Sequence, residues 1–383
     1  MIDADQLAAS YEQEVGDLAS RLVRANSINP PGGEVEAAEV AADYLRAQGL
    51  KVSVDVFDGA RANVSARLEG VGRRPGLLLS GHLDTVPVAN VGSWSRAPWS
   101  GAVESGVLYG RGSLDMKGGL AALCVAAARF ARADEALQGD IVIALTAGEE
   151  TNSLGAHRMC SQGGLGPLSG VIVAEPTNLD VGYTHRGALW LKVKARGRSA
   201  HGSQPNEGVN AVRLILDWLG DWSEIEAMVI TEAHPVLGKS TASLNQIAGG
   251  LAPNVIPDYA ELVLDIRTLP GQAHDLLIRQ LQGKSEAVEI ETIRNAPPLA
   301  TDLRDPLVNH CKEAALGVAG EVSLRGLPYT TDAAIFAEEL GVPAVVIGPG
   351  SERLAHTDNE SISVAELASA AAIYETVIRR VLI

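Results

Sequence analysis

Residues 77–84 read Leu77-Leu78-Leu79-Ser80-Gly81-His82-Leu83-Asp84, a short, almost uniformly apolar run that ends in side chains able to bind a metal. A run without apolar–polar alternation is the pattern of a strand buried on both faces, as in a parallel sheet covered by helices. Residues two apart on a strand point the same way, so His82 and Asp84 are expected to share a face. A histidine ligand commonly donates its other ring N–H to a carboxylate, and Asp84 is placed for that role. His-x-Asp alone is more often the pattern of ordinary hydrogen bonding, so the decision rests on the rest of the chain.

The same arrangement recurs three times. Asp140-Ile-Val-Ile-Ala-Leu-Thr146 runs into Ala147-Gly148-Glu149-Glu150, and Gly170-Val-Ile-Val-Ala174 delivers Glu175-Pro176. Pro343-Ala-Val-Val-Ile347 leads to Gly348-Pro349-Gly350, with His356 a few residues on. In an α/β sheet, sites form in the crevice at the carboxyl ends of the strands. The adjacent acids Glu149 and Glu150 repel unless both reach solvent or a cation compensates them. A further stretch, Tyr109-Gly-Arg-Gly-Ser-Leu-Asp-Met-Lys-Gly-Gly119, centres on Asp115 with two glycines on either side. Taken by itself, Asp115 also fits a helix N-cap. The alanine- and leucine-rich run from Leu120 to Leu137 behind it reads as a buried helix. With amphipathic helices expected at Leu7–Val23 and Glu34–Leu50, these strands indicate a mostly parallel, three-layer α/β/α sandwich.

Between residues 181 and 294 the texture changes. Leu189–Arg196 and Thr241–Ala248 alternate apolar with polar residues, and Tyr259–Thr268 and Ala287–Ile293 read as further strands. Val209–Trp222 and Ala273–Gln282 read as helices. Strand-helix-strand-strand-helix-strand is the ferredoxin-like order. The expected organisation is one domain from 1–180 and 295–383, interrupted by an inserted α+β domain at 181–294.

Composition narrows the function. A net charge of −16 argues against nucleic acid and anionic membrane surfaces. The acidic start, Met1-Ile2-Asp3-Ala4-Asp5, lacks a signal-peptide pattern, and no apolar stretch has membrane-spanning length. Cys124, Cys160 and Cys311 are odd in number and show no CxxC spacing, which points to a reducing, cytoplasmic setting without disulfides.

Taken together, Ser80-Gly-His-Leu-Asp-Thr-Val-Pro87, Tyr109–Gly119, Glu149-Glu150, Glu175-Pro176-Thr177, Ser199-Ala-His-Gly202 and Ala355-His-Thr-Asp-Asn-Glu360 resemble the dizinc amidohydrolases and exopeptidases. That family includes acetylornithine deacetylase, succinyl-diaminopimelate desuccinylase, aminoacylase and glutamate carboxypeptidase. The resemblance implies a zinc-exopeptidase-like catalytic domain and an inserted lid that also forms a homodimer. It implies two divalent metal ions, Zn²⁺ first with Co²⁺ or Mn²⁺ as alternatives, bridged by Asp115. His82 and Glu175 would complete one site, and Glu150 and His356 the other. Hydrolysis of an amide by a hydroxide held between the ions would use Glu149 as general base, with Asp84 orienting His82. His201 would stabilise the oxyanion from the partner subunit, and Arg267 would hold the substrate carboxylate. Asn254 would contact substrate, and the Gly348–Gly350 stretch either offers backbone N–H groups to the substrate or is only a turn. The activity so implied is deacylation of an N-acyl amino acid. A dipeptidase or glutamate-type carboxypeptidase on the same scaffold, and a non-catalytic binding protein that kept the fold, are the rivals.

Overall fold

The computed structural model describes residues 4–133, 135–230 and 232–383. The chain divides into two compact units. The first comprises Met1–Tyr183, Thr301–Arg325 and Thr331–Ile383, and the second Thr184–Ala300 with Gly326–Thr330.

At the centre of the first unit lie Ile141–Thr146, Gly76–His82, Leu168–Val173 and Ala344–Val346, side by side and parallel. The first two of these strands are buried at every position, which is why neither alternates. Arg61–Leu68 and Lys51–Phe57 extend the sheet antiparallel on one side, and Val346 meets Gly182 antiparallel on the other. The sheet is therefore mixed, with parallel pairing confined to the strands that lead to the candidate ligands.

Helices cover both faces. Glu12–Arg24, Lys117–Ala133, Pro306–Ala319 and Val364–Leu382 pack together on one side, while Leu154–Gln162 and Asp332–Leu340 pair on the other. Every residue from Lys117 to Ala128 is buried, as the alanine content requires for a helix lying between sheet and outer helices. Gly119 lets this helix touch the sheet, since a Cβ there would sit 2.2 Å from the Ala174 carbonyl oxygen. The expected Leu7–Val23 helix is two pieces, Ala4–Ala9 and Glu12–Arg24. A small antiparallel sheet of Ala102–Glu104, Val107–Tyr109 and Ser361–Ser363 ties the carboxyl-terminal segment to the Asp115 stretch.

The second unit holds an antiparallel four-stranded sheet in the spatial order Thr241–Gly249, Tyr259–Thr268, Gly187–Arg196, Val288–Ala296. That is the ferredoxin-like order. Its core gathers Leu189, Leu191, Val193, Ile215, Trp218 and Leu264 on one face. The expected Val209–Trp222 helix is two helices, Ala211–Leu219 and Trp222–Val229. The break falls where the Asp221 side chain accepts the Ser223 N–H and caps a new helix. Among the described residues, no helix is long and apolar enough to cross a membrane.

Candidate metal centre

The carboxyl ends of the parallel strands bring together two groups of potential ligands. His82, Asp115 and Glu175 form one, and Asp115, Glu150 and His356 the other, with ligand atoms in each group all within 4.8 Å. Asp115 belongs to both. Its Oδ1 lies 3.2 Å from His82 Nε2 and its Oδ2 3.2 Å from His356 Nε2. His82 Nε2 is also 3.4 Å from Glu175 Oε1, and His356 Nε2 is 3.3 Å from Glu150 Oε2.

The strand Gly76–His82 ends at His82, and the chain turns before Asp84. His82 Nδ1 meets the Asp84 main-chain oxygen at 2.9 Å, against 3.6 Å to the carboxylate. A carbonyl only accepts, so it holds a proton on Nδ1 and turns Nε2 toward Asp115 and Glu175. Asp84 thus meets the ring first through its main-chain oxygen, with its carboxylate farther off. That carboxylate instead accepts the backbone N–H groups of Gly148, Glu149 and Glu150 and the side-chain amide of Asn29. Four donors converging on one buried carboxylate hold it away from the imidazole.

Glu149 and Glu150 lie in a turn rather than on extended backbone. The N–H groups of Thr151, Asn152 and Ser153 all donate to the Gly148 carbonyl. Glu149 is 6% exposed and follows the strand that ends at Thr146 after Ala147 and Gly148.

Electrostatics mark this cluster as built for cations. Burial, then the Asp115 charge, pushes the Glu175 carboxyl up to about 7, and the same two causes raise Glu150. Burial also opposes ionisation of Asp115, but hydrogen bonds from His356 and His82 hold its pKa below the usual carboxylate range. His356 is pushed up to about 11 by its hydrogen bonds to Asp115 and Glu150. Three acids against two imidazoles leave excess negative charge in a buried place. Glu150 Oε1 is buried with no hydrogen-bond partner. Imidazole nitrogens and carboxylate oxygens, one carboxylate shared, suit a pair of divalent ions of the zinc type.

His356 stands on a loop with a left-handed φ of 63°, and its side chain is 54% exposed. The loop is pinned from the segment before the Asp115 stretch: Ser95 N donates to Asn359 Oδ1 at 2.6 Å, and Asn359 Nδ2 to the Ser93 carbonyl.

Gly348 does not offer a free N–H to substrate. Its N–H donates to Thr177 Oγ1 at 3.1 Å, and its carbonyl accepts from Thr177 and Leu179. A Cβ there would lie 2.4 Å from the Ala174 oxygen and 2.5 Å from that of Glu175, so glycine is required by close backbone packing. His201, Asn254 and Arg267 all belong to the second unit. His201 is exposed, hydrogen-bonded to Ser203 and bridged to Val255, beside the Asn254 carbonyl that accepts from Gly202. Arg267 pairs with Asp265 two residues back on its own strand.

Two contributors escaped the sequence reading. Glu360 is buried and accepts from the backbone of Leu114 and Asp115, and Arg111 donates to it. Asn29 reaches Asp84 and Thr151 from the Asn29-Pro30-Pro31 segment, which lies outside the quoted motifs. Glu360 sits within the quoted Ala355–Glu360 motif, but nothing in linear order connects it with residue 115.

This architecture and centre define a metal-dependent hydrolase. The model of peptidase family M20/M25/M40 matches residues 78–380, and the chain belongs to that family. It is 29% identical over 382 residues to a probable succinyl-diaminopimelate desuccinylase of Staphylococcus epidermidis, covering 92% of this chain and 93% of that one. Among solved structures it is similar to an M20 family metallo-carboxypeptidase from Sulfolobus solfataricus, with TM-score 0.78, 20% identity and coverage of 96% and 98%. A dinuclear metal-binding peptidase of the same family from Bacillus subtilis aligns with TM-score 0.71, 15% identity and coverage of 97% and 99%.

Proposed function

We propose that this enzyme removes the acyl group from an N-acyl amino acid. The observation that carries the reading is the shared Asp115, one oxygen toward each histidine, with the unpartnered Glu150 Oε1 beside it. His82, Glu175 and Asp115 would hold one divalent ion, and Glu150, His356 and Asp115 the other. Zn²⁺ is the first assignment, and Co²⁺ or Mn²⁺ accept the same donors. Bound, the two ions supply Lewis acidity for activating water and polarising the scissile carbonyl.

Glu149 takes a proton from the attacking water and returns it to the departing amine, as a general acid–base must. Asp84 keeps Glu149 and Glu150 in place through their amides. Following the family resemblance, His201 would serve the developing oxyanion across the homodimer, Arg267 would hold the substrate carboxylate and Asn254 would contact substrate. The second unit is assigned as lid and homodimer interface, following the family resemblance. The desuccinylase name of the 29% relative supports an acyl substrate.

The test is a panel of N-acetyl, N-succinyl and N-benzoyl amino acids alongside free dipeptides, on metal-loaded protein. Hydrolysis of one or more blocked amino acids is expected. Cleavage of free dipeptides alone would move the enzyme to the peptidase branch.

A further inference from the structure

The strand pair Tyr109↔Ser361 does more than close a small sheet. The pairing continues one residue outward, where the Gly110 N–H donates to the Glu360 carbonyl at 3.0 Å. This register delivers the Glu360 side chain to the loop that carries Asp115. Glu360 Oε1 accepts from Leu114 N at 2.8 Å and Asp115 N at 3.0 Å, while Oε2 accepts from Arg111 Nη1 at 2.7 Å. Both partners are inside the protein, Glu360 1% and Arg111 3% exposed. Arg111 is itself fixed, its guanidinium stacked over Trp94.

Burying an acid next to the acidic cluster is costly without a reason. Arg111 and the two amides are the donors that meet its two oxygens. A neutral acceptor would serve a loop that only needed its hydrogen bonds filled. An anion locked by a guanidinium grips two successive amides more tightly and in one orientation.

We propose that Glu360 is a positioning residue for the shared ligand. Clamped by Arg111, it fixes the backbone at Leu114–Asp115 and thereby sets where both oxygens of the Asp115 carboxylate lie. Lying four residues after His356, it also ties that ligand's segment to the Asp115 loop. The inference rests on the two-metal reading above, and it predicts that a fault at Glu360 is felt at both metal positions together.

The test is Glu360→Gln, which keeps the shape of the side chain. Whichever way the amide is turned, an NH₂ group faces either Arg111 or the two backbone donors, so one set of contacts is lost. Apoprotein is titrated with Zn²⁺ and with Co²⁺, the latter followed by its visible absorption. Expected is a loss of roughly 10- to 100-fold in affinity at both binding steps, with an altered Co²⁺ spectrum. Glu175→Gln, which touches one group only, is expected to weaken one step. Arg111→Lys should shift both steps in the same direction by less, and carries the test if Glu360→Gln does not fold. Parental affinities and an unchanged spectrum in the folded variant, even with a lower Tm, would overturn the proposal. So would a loss confined to one step. A parent that binds two ions yet hydrolyses nothing in the amide panel would sink the proposed function and leave this inference standing. A parent that binds fewer than two would overturn both.

Discussion

His82 and His185 are both fully buried, yet the two units treat them in opposite ways. In the first unit, burial disfavours charge on His82, but Glu175, Asp115 and Asp84 overcome it and hold its pKa well above the usual value. In the second, burial and nearby Arg294 drive His185 down to about 4, and its Nδ1 is satisfied by the Arg186 carbonyl. The strands explain the contrast. Gly76–His82 and Ile141–Thr146 are buried throughout, so charge emerges only at their ends, where it collects into a site. Tyr259–Thr268 and Gly187–Arg196 alternate, and their charges spread along the wetter face as pairs such as Lys192–Glu261 and Lys194–Glu291. A doubly covered sheet concentrates chemistry at its rim, whereas a half-wet sheet dilutes it across a surface.

The largest expected effect tests the rim directly. Glu149→Ala should lower kcat by about 10²- to 10⁴-fold while metal content stays at the parental level. Parental kcat with full metal would break the contrast, because the rim would then hold ligands without a base.

The second prediction concerns pH. His185 has a folded pKa of about 4 against an unfolded value near 6.5, so the unfolded chain takes up the proton first on acidification. Its stabilisation is fully present above pH 6.5 and lost as pH falls toward 4, amounting to about 3 kcal/mol at the acid end. Urea unfolding of parent and His185→Gln at pH 7.5 and 4.5 should show the parent losing most of that difference. Equal pH dependence in the two proteins would count against a neutral buried His185.

Metal removal should separate the units. Binding at a free concentration a hundredfold above Kd stabilises by about 2.7 kcal/mol per site, so chelation should lower Tm by roughly 5–10 °C. Hydrogen exchange should accelerate at residues 148–151 and at 174 and 175, and stay unchanged along Tyr259–Thr268. Uniform acceleration across both units would blur the comparison. The smallest effect is expected on the second sheet's exposed face, where Lys194→Ala should move Tm by on the order of a degree or less. A larger fall would mean that the dispersed charges matter more than their exposure allows.

Much of this was legible in residue order. Periodicity separated the two sheets, since doubly buried strands cannot alternate and half-buried ones must; the stretches bearing His82, Glu150, Glu175 and His356 each came after a strand they could be read from, and Asp115 was read from its flanking glycines. The break in the expected Val209–Trp222 helix was less accessible, because it depends on Asp221 turning its side chain back to cap Ser223 rather than on any apolar pattern. Gly348 read as a donor loop, yet its N–H is consumed by Thr177.

By itself the sequence determined the strand types, the side chains at their carboxyl ends and the family to which they belong, because burial and chemical type are local properties. Tertiary structure alone decided which oxygen of Asp115 faces which histidine, that the Asp84 carboxylate serves three amides rather than an imidazole, and that Glu360 grips the Asp115 loop. Those are contests among donors and acceptors brought together from distant parts of the chain. Their outcome is set by distance and angle, which linear order does not contain.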